Sequence, residues 1–468
     1  MEEAVVQNNQ LEAQNPLGTR RIPKLLFSLA IPAIIANIVN SLYNIVDQIF
    51  IGHGVGYLGN AATSVAFPLT TICMAIGLMC GLGGSANFNL AIGRQDAKRA
   101  QGIVGTATAL LVVSGIIICI IVNAFLKDLM VAFGATDQTI DYAVQYTRIT
   151  SFGIPFLLFS TGFNPIIRAD GAPVYSMLSV VIGAVLNTIL DPIFIFVCNW
   201  GIAGAAWATL IGQIVSAVVC ALYFLKFKNV RPQLKDFIPN FRLVKAIAYV
   251  GMSSFIFQIS TMVIQIVSNN MLKKYGADSV YGSDIPIAIA GIVAKISMIF
   301  IAVIIGIVQG AQPIFGYNYG AKKYDRVRAT LKLAILSSFA FSLFAFALFM
   351  GFPRALISVF GTGSDLYFEF GIKYLRVSLF FTFLNGIQIS STTFFQAVGK
   401  ATKGAILSLI KQVIFLLPLL VVLPIFMGVE GVMFAAPISD LIAFIAGLAM
   451  LVFELKRMPK ESLAALDK

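Results

Sequence analysis

Apolar residues run along this chain in long blocks separated by short polar stretches. A hydrocarbon layer takes about 20 mostly apolar residues to cross. Twelve blocks reach that length, at roughly 25–50, 62–91, 103–126, 142–167, 174–198, 201–225, 246–271, 285–315, 329–352, 370–395, 404–427 and 431–454. The strict alternation of a membrane β-barrel is absent. Backbone N–H and C=O groups are not left unpaired in lipid, so the blocks predict an all-α membrane protein with twelve transmembrane helices. Pro32, Pro155, Pro165 and Pro313 fall inside blocks as potential kinks. Gly77, Gly81, Gly83 and Gly84 in the second block suit close helix approach or a bend.

The polar positions inside the blocks are ordered too. Asn37, Asn40, Asn44 and Asp47 follow one another at helical steps and share one face of the first block, flanked by Tyr43 and Gln48. Such a face meets other helices or a water-filled cavity, not lipid. The seventh block repeats the design with Gln258, Thr261, Gln265 and Ser268, but without an acid at its outer end.

That echo belongs to a larger one. Tyr146-x-Arg148 recurs as Tyr374-x-Arg376, Ala169-x-Gly171 as Ala397-x-Gly399, and Gly201-x-x-Gly204 as Gly428-x-x-Gly431. Each pair is separated by close to half the chain, and the order is kept. Six blocks per half bring the chain back to its starting side, so the halves form two parallel-repeat six-helix bundles around a central cavity. The expected division is a cytoplasmic N-terminal segment 1–24, an N-terminal bundle 25–225, a linker 226–245, a C-terminal bundle 246–454 and a tail 455–468. Gly93 to Arg99 and Gly320 to Arg326 are matching basic loops, read as topology anchors, whose glycine ends a helix.

Composition adds the orientation. Hydrophobic residues make up 58% of the chain and charged residues 12%, where soluble proteins carry roughly 25% charged residues. Most of the 33 Lys and Arg fall on the side of the N-terminus, including Arg20, Arg21, Lys24, Arg94, Lys98, Arg99, the linker bases, Lys322, Lys323, Lys400 and Lys403. This asymmetry predicts a multi-pass protein of a plasma (bacterial inner) membrane with both termini cytoplasmic. The net charge of +12 is therefore topological and calls for no nucleic-acid partner. The polar start of the chain lacks a signal-peptide pattern. The five cysteines show no metal or redox spacing, and the single histidine, His53, has no ligand neighbours.

Asp191 is the second acid placed in oil in the first half. Asn187 lies one helical turn before it, and Thr209 stands on the next block. At about 1.5 Å per residue, Asp191 and Thr209 each lie about 10–12 Å from the outer side, and Asp47 is somewhat shallower. Two carboxylates, an amide and a hydroxyl at one depth make an all-oxygen set. It suits a small hard cation, or a proton shared by carboxyls that do not comfortably ionise together. An acid at mid-membrane costs about 2.5–3.5 kcal/mol on insertion scales, which argues for a use. Hydrogen bonding between helices is the plainer alternative.

These residues resemble the multidrug and toxic compound extrusion (MATE) family. The likeness rests on Val46-Asp47 with Ile51-Gly52, Asn187-x-x-x-Asp191-Pro192, Gly201-x-x-Gly204-Ala205-Ala206-Trp207-Ala208-Thr209, and Gln312-Pro313-x-x-Gly316-Tyr317-Asn318-Tyr319-Gly320-Ala321. It covers the whole chain, and the last motif is most similar to the branch of staphylococcal-type multidrug exporters. The resemblance implies a secondary antiporter in which H+ or Na+ flows inward while a bulky amphipathic, drug-like and often cationic compound is expelled by alternating access. It implies that Asp47, Asn187, Asp191 and Thr209 form the coupling-ion site, as metal ligands where the ion is Na+. No other cofactor is implied. Family members with an acid on the seventh span differ from this chain, which has Gln258 and Gln265 there.

The substrate is expected between the bundles, in a cavity lined by Asn37, Asn40, Tyr43, Asn44, Gln258 and Gln265. Lys295, Lys411 and Asp440 lie mid-span in the second half; Asp440 forms a buried pair with either lysine, or Lys295 and Asp440 meet the substrate. Arg148 and Arg376 suit a shared structural role. The chain is expected to act as a monomer in the lipid bilayer and not as an enzyme, since no catalytic acid pair or His cluster lies near a membrane face. The alternative function is a flippase for a lipid-linked saccharide or other amphipathic lipid.

Overall fold

The chain runs through twelve crossings in two halves of six, in a computed structural model that describes residues 15–459 apart from 283 and 361–363. The expected N-terminal segment and tail therefore lie partly outside the described residues. In the first half, α1 (Ile22–Gly54), α2 (Tyr57–Gly93) and α3 (Ala97–Ala124) precede a broken crossing made of α4 (Ile140–Ser151) and α5 (Ile154–Ala169), then α6 (Pro173–Val197) and α7 (Gly201–Leu222). The second half repeats the series as α8 (Phe241–Ala277), α9 (Asp284–Gly320), α10 (Tyr324–Gly351), the pair α11 (Asp365–Ser378) and α12 (Thr382–Ala397), α13 (Ala401–Met427) and α14 (Val429–Arg457). Ten of the crossings are continuous helices long and apolar enough to span a bilayer.

The breaks fall at matching places in the two halves. Helices α4 and α5 are bent by 58°. Pro155 sits in the first turn of α5, where its missing N–H would be unpaired anyway and its ring stops the preceding helix from continuing. The equivalent break between α11 and α12 has no proline. Pro32, Pro165 and Pro313, expected as kinks, lie inside unbroken helices. Short helices at Leu126–Ala132 and Pro353–Ser358 also occupy matching positions.

The repeated glycine motifs have a backbone cause. Gly171 and Gly399 start the α5–α6 and α12–α13 turns with φ of +84° and +77°, and Gly201 and Gly428 open α7 and α14 with +54° and +59°. A Cβ is disfavoured at such angles. The basic loops work otherwise. There the left-handed residues are Gln95 and Lys322, while Gly93 and Gly320 end their helices by letting α2 and α9 cross: a Cβ on Gly93 would stand 2.1 Å from the Tyr317 carbonyl oxygen.

The two bundles meet on the side that carries the N-terminus and the basic loops, called here the basic side. Gly310 presses on Ala30 and Gly306 on Ile34, joining α9 to α1. Gly83 presses on Ile247 and Gly251 on Met79, joining α2 to α8. The other glycines of α2 serve the same end: Gly77 and Gly81 meet α5, and Gly84 meets Ala107. Packing, not bending, is their role.

The first helix of each half leans into the opposite bundle. Leu25, Leu26 and Leu29 of α1 are buried among Ala311, Ile314, Phe394 and Leu451 of the second half. Ile247 of α8 is buried among Phe88, Ile103 and Phe163 of the first. The boundary between bundles on this side is therefore an exchange, not a clean cut at the linker.

The linker is docked as well. Phe227 and Val230 are buried in the first bundle's core. Asp170, in the turn after α5, accepts from Tyr223 Oη and Lys228 N at 2.7 Å and from Asn229 N at 3.0 Å. Burial pushes the Asp170 carboxyl up, against the pull of those donors. Arg326 ties down the start of the chain by donating to Arg20 O at 2.7 Å, to Leu17 O at 3.1 Å and to Asn318 Oδ1 at 3.0 Å. Glu454, 3% exposed, takes both Lys400 and Lys403.

Candidate functional site

A buried polar group of the first bundle is built where α6 and α7 come close. Gly183 and Gly212 face each other: a Cβ on Gly183 would lie 2.8 Å from the Gly212 carbonyl oxygen, and one on Gly212 would lie 3.3 Å from Asn187 Cβ. Small residues here let the two helices approach within side-chain reach. One turn further along α6 stand Asn187 and Asp191, 2% and 0% exposed. Thr209 faces them from α7. Pro192 and a π-helical turn at Ile193–Val197 then close α6, widening the helix end beside the acid.

The donors and acceptors fix the amide. Asn187 donates from its nitrogen to Asp191 Oδ2 at 3.1 Å and accepts at its oxygen from the Thr209 backbone N–H at 3.1 Å. Asp47, at the outer end of the polar face of α1, brings its carboxyl within hydrogen-bonding reach of Asp191. The Oδ1 of Asp47 is buried with no hydrogen-bond partner. An orphaned carboxylate oxygen in a dry site is costly and invites a proton or a cation. Asp47, Asn187, Asp191 and Thr209, taken from three helices, thus lie together. Among the described residues no cluster of three or more His, Cys, Asp or Glu exists, so this set offers hard oxygens of low total charge.

Two tyrosines complete the site. Tyr43, one turn before Asp47 on α1, lies close to both acids. Tyr146 on α4 lies near Thr209 and Asp47. In the sequence Tyr146 stands out only by its repetition as Tyr374, which marks the repeat and gives neither tyrosine a role. Tyr374 does pack in a core, stacked on Phe370. Arg376 donates to Met350 O at 2.9 Å, while Arg148 is exposed.

The other polar positions distribute along the seam and above it. Asn37 donates to Gln309 Oε1 at 3.2 Å and sits in the contact between α1 and α9. Asn40 and Asn44 lie further out on α1, half-buried, with Asn44 donating to the Asn40 carbonyl at 2.6 Å. On the facing bundle, Gln258 is half-buried and Gln265 exposed. Thr261 is turned to Gln412 on α13, at 3.3 Å. Among the described residues, no hydrogen bond or ion pair joins α1 beyond Asn37 to α9 before Ala302. The close glycine contacts that join the bundles lie on the basic side.

The three mid-span charges of the second half divide. Lys411 and Asp440 form an ion pair at 2.9 Å, with side chains 18% and 11% exposed. Lys411 also donates to Asn385 Oδ1 at 3.2 Å and Gln388 Oε1 at 3.4 Å. It stands in a π-helical stretch, Ile410–Leu416, which frees its carbonyl to accept from Ser439 Oγ at 2.6 Å. The Asp440 carboxylate is thus engaged within its own bundle. Lys295 is half-buried on α9 and has no such partner among the described residues.

The comparisons agree with this architecture. The MatE family model matches residues 32–193 and again 253–422, one match in each half. The chain is 26% identical over 435 residues to the multidrug export protein MepA of Staphylococcus aureus (strain MSSA476), covering 93% of this chain and 94% of that protein. It is 26% identical over 429 residues to MepA of Staphylococcus haemolyticus, covering 90% and 92%. Among solved structures, a multidrug resistance MATE family transporter of the MOP superfamily in an outward-facing conformation superposes with a TM-score of 0.87 at 25% identity, covering 97% of this chain and 98% of that one. A MOP superfamily transporter from Pyrococcus furiosus superposes with a TM-score of 0.88 at 25% identity, covering 95% and 98%. These similarities favour drug export over the lipid-saccharide flippase. A family match in both halves, over twelve crossings arranged as in the solved transporters, makes this multi-pass chain a member of the MATE family of multidrug efflux transporters.

Proposed function

We propose that this chain is an antiporter that expels bulky amphipathic compounds against an inward flow of H+ or Na+ through the acid site of the first bundle. The carrying observation is the meeting of Asp47 and Asp191 beside Asn187 and Thr209, with an Asp47 oxygen left without a partner. Two carboxyls at such a separation do not both ionise in a low-dielectric site unless a cation lies between them. Protonation or cation binding neutralises the site, and release recharges it. That change of charge at the junction of α1, α6 and α7 biases the tilt of α1. Because α1 also carries the seam with α9, its tilt is linked to whether the basic side is closed.

On this reading the basic side faces the cytoplasm, as its excess of Lys and Arg favours. The seam of close glycine contacts is then the inner gate, and the outer half is the exit path. Alternating access follows when the seam opens and the outer half closes. The chain needs no second copy for this cycle. Amphipathic substrate is held between the half-buried Asn40, Asn44 and Gln258, the exposed Gln265 and the apolar walls around them.

The test uses purified protein in proteoliposomes with a proton or a sodium gradient imposed separately. Asp47→Asn and Asp191→Asn are each expected to lose gradient-driven ethidium transport at normal folding. Whichever gradient drives the unaltered protein identifies the ion. Undiminished gradient-driven transport in both variants would remove the acids from the mechanism.

A further inference from the structure

Lys295 stands on the face of α9 that addresses α1 of the opposite bundle. Ala302, Gly306 and Gly310 make contact with α1, and Lys295 precedes Ala302 by two helical turns, so it continues the same stripe outward. The contacts run antiparallel: Gly310 meets Ala30, Gly306 meets Ile34 and Ala302 meets Asn37. Extended by two turns, this register sets Lys295 level with Asn44, beyond the last polar contact between α1 and α9 among the described residues. Gly291, one turn further out, meets nothing within 4 Å of where a Cβ would stand. The opposite face of the helix is filled by Ile289, Val293 and Ile296, all buried.

The charge balance of this wall is one-sided. Asp440, the acid of the second bundle at mid-span, is neutralised by Lys411. Gln258 and Gln265 are neutral. Across the cleft, Asp191 is fully buried and Asp47 is drawn into the group around it. An ammonium group half-removed from water without a counter-charge is unfavourable, and an anionic partner relieves it.

Resting on the reading of this cleft as the substrate path, we propose that Lys295 is a specificity residue. It selects amphipathic substrates that carry an anionic group, a carboxylate or sulfonate, held level with Asn44. The apolar part of the substrate rests on the surrounding walls while the anion takes the ammonium. A purely cationic compound meets repulsion at the same position. The acid site would then serve the coupling ion alone, with no substrate cation competing for it.

The experiment compares two dyes in the same proteoliposomes, anilinonaphthalene sulfonate and ethidium, with the unaltered protein, Lys295→Gln and Lys295→Arg. A lost charge-assisted hydrogen bond predicts a rise of about tenfold or more in KM for the sulfonate in Lys295→Gln. Ethidium KM stays unchanged or falls, and Lys295→Arg keeps sulfonate transport near the original. Equal KM values for the sulfonate in the unaltered protein and Lys295→Gln overturn the proposal but leave gradient-driven export standing. A parallel rise for both dyes in Lys295→Gln assigns a structural role and also overturns it. An unaltered protein that moves neither dye under either gradient overturns the transport reading together with this one.

Discussion

Asn37 on α1 donates its amide hydrogen to Gln309 on α9 at 3.2 Å and is the outermost residue of α1 to hydrogen-bond α9 among the described residues. Its nitrogen also lies 3.5 Å from the Ala302 carbonyl. The first asparagine of the polar face is thus engaged in closing the seam, whereas Asn40 and Asn44 of the same face lie beyond it. Along one helix face the four polar residues thus meet three surroundings in turn: the contact with α9, half-buried positions beyond it, and the acid site.

Replacing Gln309 by Leu therefore weakens the seal without touching the acids. A hydrogen bond of this kind is worth about 0.5–1.5 kcal/mol net, which shifts a two-state population by roughly two- to tenfold. The readout is alkylation of a cysteine placed at Ala36, in a background where the five native cysteines are replaced. Faster labelling from the basic side is expected; unchanged labelling would mean that the bond does not hold the gate.

The glycines of α9 predict a sharper contrast. A Cβ at Gly310 would stand 2.6 Å from Ala30 Cα, while one at Gly291 meets nothing within 4 Å. Gly310→Val drives a wedge into the seam and is expected to abolish transport and raise labelling from the basic side. Gly291→Val is expected to transport normally, since helix propensity favours Val over Gly. Both variants should melt as intact helical proteins by circular dichroism. Equal activity in the two would refute the seam as a moving contact.

The Lys411–Asp440 pair predicts a stability effect. Removing one partner from a buried pair leaves an uncompensated charge and costs about 3 kcal/mol or more. Asp440→Asn should therefore lower the thermal midpoint of the purified protein clearly. The double change Lys411→Met with Asp440→Leu should recover most of the loss, because both charges leave together. A double variant no better than Asp440→Asn would show that the amide contacts to Asn385 and Gln388 depend on the lysine.

How much of this was legible from sequence depends on the length scale of the physics. Helix count and repeat followed from the cost of unpaired backbone in lipid, which acts on every residue of a span. The convergence of Asp47, Asn187, Asp191 and Thr209 followed from depth, because a rigid helix rise places residues along the membrane normal. Depth says nothing about rotation around the normal. For that reason the sequence marks Tyr146 as a repeat position and not as a site residue, and leaves Lys411 and Lys295 as equal candidates for Asp440. The crossing of α1 and α8 into opposite bundles was hidden too, since it depends on which apolar face meets which. The break between α11 and α12, lacking a proline, had no local signal at all.

Tyr146 gives the test of what rotation adds. It lies near Thr209 and Asp47, and its hydroxyl is the one polar atom it brings to the site on an otherwise apolar body. Tyr146→Phe removes that atom and leaves the packing with Val55, Ile140 and Ala143 in place. Loss of a hydrogen bond in a low-dielectric site is worth about 1–3 kcal/mol, or roughly five- to a hundredfold in the affinity of a group it orients. The expected result is a weaker dependence of ethidium transport on the imposed ion gradient, with ethidium binding in the absence of a gradient unchanged. Thr209→Val should give the same phenotype, and the two changes combined should be less than additive because the two hydroxyls belong to neighbouring residues of one site. Full additivity would separate Tyr146 from the acid site and return it to the scaffold.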